Sequence, residues 1–151
     1  MIGLKARITL QHYRQPTTMK MRVRQEVLNS ICEATQSHFS IARASSLSGG
    51  YTNQTWHLAG EDGREFLVKL NTADKAAMFE AECNGLAALA ATHIVRVPAV
   101  IAHGVADAHA FLVLEYLDLH SHGDSRLLGT QLAALHRVHG QQFGWECDNT
   151  L

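Results

Sequence analysis

Apolar positions recur at helical spacing from about Arg22 to His38, where Val23, Val27, Leu28, Ile31 and Ala34 fall on one side. An extended run follows from Phe39 to Leu47 and breaks at Gly49-Gly50. Thr52 to Leu58 is again strand-like, Gly60-Glu61-Asp62-Gly63 is a hairpin signal, and Glu65 to Leu70 returns as a third strand. Connections this short are turns rather than crossovers, so the three runs predict an antiparallel meander. Asn71-Thr72-Ala73-Asp74 offers N-cap residues for a helix reaching roughly Ala91. Val97-Pro98 marks an extended re-entry and Ala99 to Ala102 a short strand. Ala110 to Tyr116 is almost wholly apolar, as a strand buried on both faces would be. A polar linker from Asp118 to Asp124 leads into a last helix from about Ser125 to His139. The order predicts an α+β protein, a small antiparallel sheet of about five strands with a long helix on it, followed by a linker and a further helix.

Composition narrows the partners. A chain of 151 residues with net charge −1 supports one domain with a modest core and gives no reason to expect nucleic acid or an anionic membrane. Its apolar runs fall short of the roughly 20 residues that a membrane helix needs. Cys32, Cys83 and Cys147 lie far apart without a CxxC, which suggests reduced thiols and a cytoplasmic protein. Residues 1–20 carry Lys5, Arg7, Arg14 and Lys20 with no acidic residue, superficially like a targeting peptide. They have no continuous apolar region and no small-residue cleavage site. They read as a disordered extension or an early start codon, with folding from Met19 or Met21.

Lys69 changes the picture, because it sits among Phe66, Leu67, Val68 and Leu70. A lysine in an apolar strand must either snorkel to water or meet an anion. Taken alone, snorkelling is the simpler account. On the following helix Phe79, Cys83, Leu86 and Leu89 form one stripe; Glu82 falls inside it and Glu80 points away. A carboxylate on that face wants a cation, and Lys69 is one element earlier. A strand lysine held by a helix glutamate is how kinases position the lysine that touches nucleotide phosphates. Gly49-Gly50 lies between two strands, which excludes a Walker loop, since that opens a helix. Glycines there are an ordinary turn or a backbone approach to phosphate.

The run Ser48-Gly49-Gly50-Tyr51-Thr52-Asn53-Gln54, followed by Phe66-Leu67-Val68-Lys69-Leu70-Asn71, resembles the start of the fructosamine (ketosamine) kinases. Met78-Phe79-Glu80-Ala81-Glu82, Gly85-Leu86 and Val95-Arg96-Val97-Pro98 continue the likeness. So do Leu128-Gly129, Leu132-Ala133-Ala134-Leu135-His136, Phe143-Gly144-Trp145 and Asp148-Asn149-Thr150. The resemblance covers roughly residues 21 to 151. It implies the protein-kinase-like fold shared with aminoglycoside phosphotransferases, with 21–117 as the N-terminal lobe and 118–151 as a linker and the start of the second lobe. It also implies ATP- and Mg²⁺-dependent phosphorylation of a sugar hydroxyl on a glycated amine, a deglycation repair. By that resemblance Lys69 would contact the ATP phosphates and Glu82 would hold it. Gly49 and Gly50 would cover the phosphates, and hinge backbone at Glu115 and Leu117 would read the adenine edge.

His122-Gly123-Asp124 spells the tripeptide that opens the catalytic loop in this superfamily. The asparagine expected about five residues later is replaced by Gly129, and the tripeptide precedes a helix that the family's loop follows. Asp124 therefore reads as a helix cap. His136 with His139, and His120 with His122, are pairs without a third ligand and read as packing or surface residues. No residue of this chain is assigned as catalytic or as a metal ligand, and the Mg²⁺ ligands are expected elsewhere in the parent enzyme. The chain alone is expected to be inactive and to bind nucleotide weakly at most. Its last helix, with Leu128, Leu132 and Leu135 on one face and Leu127 beside it, is expected to favour self-association. A related kinase for aminoglycosides or choline, and a non-catalytic nucleotide-binding pseudokinase fragment, are the alternative readings.

Overall fold

The computed structural model describes residues 19–47, 52–119 and 123–140. Helix α1 spans Met21–Thr35, and its buried Val23, Val27 and Ile31 lie four residues apart on one face. It ends where Gln36 turns left-handed at φ 51°, a conformation that lets its amide return to carbonyls of the last turn. Five strands follow: β1 Ile41–Leu47, β2 Gln54–Gly60, β3 Glu65–Thr72, β4 Val100–Ala106 and β5 His109–Glu115. Helix α2 spans Ala76–Ala91 and helix α3 Ser125–Leu135. The sheet is wholly antiparallel in the order β1-β2-β3-β5-β4, which inserts the last strand beside β3. The α+β architecture expected from the pattern is the observed one.

The sheet separates two apolar layers. Trp56, Leu58, Phe66, Val68, Leu70, Phe111 and Val113 face α1 with Phe39. Leu67, Ala110, Leu112 and Leu114 face α2, where Met78, Phe79, Cys83 and Leu86 meet them. Ala110 through Leu114 are all buried, so β5 serves both layers, and its unbroken apolar run has this cause. The β2–β3 turn needs its glycines. Gly63 sits at φ 82°, and a side chain on Gly60 would collide with the Phe39 ring. Arg64 staples this turn to the end of α1: its guanidinium binds the Asp62 carboxylate, the Thr35 hydroxyl at 3.0 Å and the His38 carbonyl.

Several expected boundaries shift. Asn71 and Thr72 remain in β3 instead of capping the long helix. A 3₁₀ turn, Ala73–Lys75, intervenes, and α2 starts after Lys75 without a side-chain cap. The Asn71 amide is used instead on the Thr52 carbonyl and the Asn53 side chain, at 3.1 and 2.7 Å. Strand β4 is longer than the short run expected, because Asp107, at φ 55°, makes a tight hairpin into β5. Leu89, expected in the α2 stripe, is 39% exposed, and the helix's packing on the sheet layer runs from Ala76 to Leu86. Helix α1 covers the second sheet face, so the sheet carries a helix on each side. Among the described residues, no helix is long and apolar enough to cross a membrane.

Candidate functional site

Register across the sheet builds the site. Leu47 pairs with Thr55, Thr55 with Lys69, and Lys69 with Leu112, so these four residues form one row facing the α2 side. Helix α2 lies across β4 and β5 and covers the Leu112 end of that row. At the other end Leu47 and Thr55 are only partly buried. Lys69 therefore stands where a dry half of the face meets an open half.

Its ammonium meets the expected partner. Lys69 Nζ lies 2.5 Å from Glu82 Oε1, with the two side chains 25% and 29% exposed. Glu82 reaches it because α2 docks through Phe79, which is 1% exposed and points into the core one turn earlier; Glu80 is exposed as expected. The pair is neither free in water nor sealed from it. An ammonium has three donors, so one bond to Glu82 leaves others for a second anion. Beside it the Cys83 thiol is pushed above its ordinary range, first by burial and then by the Glu82 charge. It is thereby kept in the unreactive thiol form.

Gly49 and Gly50 lie outside the described residues, as do His120 and His122. Their described neighbours locate the first connection: β1 ends at Leu47 in the Lys69 row, and Thr52 is held by Asn71, two residues past Lys69. The ends of the Gly-Gly connection are thus beside the lysine. At the far end of β5, the Glu115 amide donates to the Ala99 carbonyl at 2.9 Å, and its carboxylate takes the Arg96 guanidinium and the Ala99 amide. Tyr116 N–H reaches the Glu65 carbonyl at 3.4 Å, and Leu117 follows, partly buried, where the chain leaves the sheet. Asp124 caps α3 as expected, its carboxylate accepting the Arg126 and Leu127 amides at 2.9 and 3.2 Å.

Two features escaped the sequence pattern. The His57 ring stacks on Tyr116, centroids 3.9 Å apart; alternation along β2 placed it opposite Trp56 and Leu58, but nothing local names its partner. The second is a cavity of about 570 Å³ on the α1 side, lined by Thr35, Arg64, Glu65, Phe66, Ile101 and Glu115 among others. It touches the strand ends that lead into the linker and lies away from Lys69.

A five-stranded antiparallel sheet with a strand lysine clamped by a helix glutamate, and a linker leaving the last-inserted strand, defines the N-terminal lobe of a kinase-like protein. The family model for fructosamine kinase matches residues 23–151, and the chain belongs to this family. It is 43% identical over 131 residues to a probable ketoamine kinase of Synechocystis, covering 84% of this chain and 44% of that protein. It is 34% identical over 115 residues to the chloroplastic protein-ribulosamine 3-kinase of Arabidopsis thaliana, covering 74% of this chain and 35% of that one. Among solved structures, a protein assigned as a fructosamine-3-kinase from Haemophilus somnus superposes with a TM-score of 0.76 at 28% identity. That match covers 83% of this chain and 43% of the other. The chain therefore spans less than half the length of the relatives it matches.

Proposed function

We propose that this chain supplies the nucleotide-binding lobe of an ATP-dependent ketoamine kinase that phosphorylates a sugar hydroxyl on glycated amines. The observation that carries the reading is the Lys69–Glu82 pair at the border of the open half of the sheet. A cation already anchored on one side is a prepared site for a phosphate oxygen, because little ordering is left to do when the nucleotide arrives. Glu82 supplies the anchor and Lys69 the charge. The Gly49-Gly50 connection is the cover over the phosphates. With the Glu115 amide already given to Ala99, the base edge falls to the Glu115 carbonyl and the Leu117 amide.

Phosphoryl transfer needs in addition a group that orients the sugar hydroxyl, and Mg²⁺ to offset charge on the phosphates. Asp124 is not that group in this reading, since its carboxylate is spent on the α3 amides. The base and the metal ligands belong to the remainder of a full-length parent, so the 151-residue chain binds nucleotide and transfers nothing by itself. The exposed Leu127, Leu128 and Leu132 of α3 are the face that meets that remainder, or that drives association in its absence.

The test is calorimetric titration of the purified chain with ATP and with tripolyphosphate, beside Lys69→Met. Loss of about tenfold in affinity for both ligands, roughly what removing one charged hydrogen-bond partner costs, is the expected result. Equal binding by the wild type and Lys69→Met would sink the phosphate role. ATP consumption with a fructosyl-lysine substrate by the chain alone would overturn the division of labour.

A further inference from the structure

One row along from Lys69, the sheet carries a side-chain pair that phosphate binding does not use. Ser45, His57, Leu67 and Leu114 are paired in register across β1, β2, β3 and β5. This row is two residues, about 6–7 Å along the strands, from the Lys69 row and toward the linker. His57 is 8% exposed and lies against Tyr116 with ring planes 20° apart. Its Nε2 is buried without a hydrogen bond. Glu65 Oε1 stands 3.3 Å away but out of hydrogen-bond alignment. The ring is therefore held by the stack, with no hydrogen bond at Nε2.

Tyr116 is the residue between the two whose backbone would meet a base. Its amide bond to Glu65 is long at 3.4 Å, whereas the preceding Glu115 amide is held at 2.9 Å. The backbone thus loosens from the sheet at Tyr116, and the stack on His57 carries it back.

We infer that His57 is a positioning residue for base recognition, acting through its stack on Tyr116 to hold the Glu115–Leu117 backbone in register beneath the sheet. The inference rests on the nucleotide reading above.

The deciding experiment is amide hydrogen exchange of the full 151-residue chain by NMR, which needs no ligand. His57→Ala is expected to speed exchange at Tyr116 and Leu117 about fivefold, the worth of an aromatic stack, while Phe111 and Val113 stay protected. His57→Phe keeps the stack, removes the unpartnered nitrogen, and is expected to restore wild-type protection. Tyr116→Ala removes the stack from the linker side without touching the strand, and should match His57→Ala at Leu117. In titrations, His57→Ala is expected to weaken ATP about fivefold and leave tripolyphosphate unchanged. Unchanged exchange at Leu117 in both alanine variants would remove the positioning role, as would a His57→Phe that behaves like His57→Ala. Either result leaves Lys69 as a phosphate residue; a Lys69→Met that binds tripolyphosphate normally removes the nucleotide reading instead.

Discussion

The two faces of the sheet are made by the same strands and put to different use. The α1 face is apolar from Trp56 and Leu58 through Phe66, Val68 and Leu70 to Phe111 and Val113. The α2 face begins the same way over β5 and then gives out, with Lys69 at the border and partly exposed Leu47 and Thr55 beyond it. Burial of apolar area supplies stability roughly in proportion to its extent, about 1.5–3 kcal/mol for each fully buried large side chain. One face thus stabilises the lobe, and the other gives up part of that contribution to hold a charge where a ligand can reach it. Stability and binding should separate when the faces are perturbed in turn.

The largest effects belong to the covered parts. Leu58→Ala, on the α1 face at 0% exposure, should cost about 2–5 kcal/mol in urea denaturation, and Phe79→Ala about 3–5 kcal/mol. The second has an added consequence, because Phe79 docks the helix that carries Glu82. Where Leu58→Ala remains folded, its nucleotide affinity should match wild type; Phe79→Ala should lose affinity even under conditions where it remains folded. Equal binding by the two would mean that α2 docking does not position Glu82.

The Lys69–Glu82 pair gives the converse. Lys69→Met should change stability by no more than about 1 kcal/mol, because both side chains keep access to water. In a double-mutant cycle with Glu82→Gln, most of the loss in phosphate affinity from removing the glutamate should vanish once Lys69 is gone. Additive effects would mean that Glu82 acts on the nucleotide directly and not through the lysine.

How far the site was legible depended on whether each interaction was local. Lys69 and Glu82 could be paired from the strand pattern and the helical stripe, because period alone assigns each a face. Asp124 was legible as a cap for the same reason. The end of β3 was not: Asn71 and Thr72 look like N-cap residues, yet sheet pairing to β5 through Asn71–Ala110 and Thr72–His109 kept them extended. Tertiary pairing overrode a local preference. The His57–Tyr116 stack joins residues 59 positions apart only because β5 inserts beside β3, an order that no local signal specifies. Gly49 and Gly50 were legible as a connection beside the lysine strand, and the flanking pairs bear on no more than that.

Smaller still is the α3 cap. Asp124→Ala removes the acceptor of two amides and should cost the helix about 0.5–2 kcal/mol. The loss should appear as faster amide exchange at Arg126 and Leu127, because few contacts tie α3 to the rest of the fold. Gln131 to the Ile94 carbonyl, at 2.9 Å, is one of them. Nucleotide affinity should be untouched. A drop in affinity comparable to that of Lys69→Met would return Asp124 to the list of functional residues.

The smallest effect is a pH dependence at the β2–β3 turn. The Asp62 carboxyl is held below its ordinary 3.8, first by the side-chain hydrogen bond from Arg64 and then by the Arg64 amide. A depressed carboxyl favours the folded state only while ionised, so its contribution is complete above pH 3.8 and is lost as pH falls through the lower folded value. Asp62→Asn should therefore flatten the acid limb of the stability curve below about pH 4 and change little at neutrality. The carboxylate is exposed to solvent, so the change belongs at the limit of detection in thermal melts. The Arg64 bonds to Thr35 and His38 remain in that variant and keep the turn on α1. A loss at neutral pH as large as that of Leu58→Ala would mean that this surface staple, and not the apolar layer, holds the α1 face together.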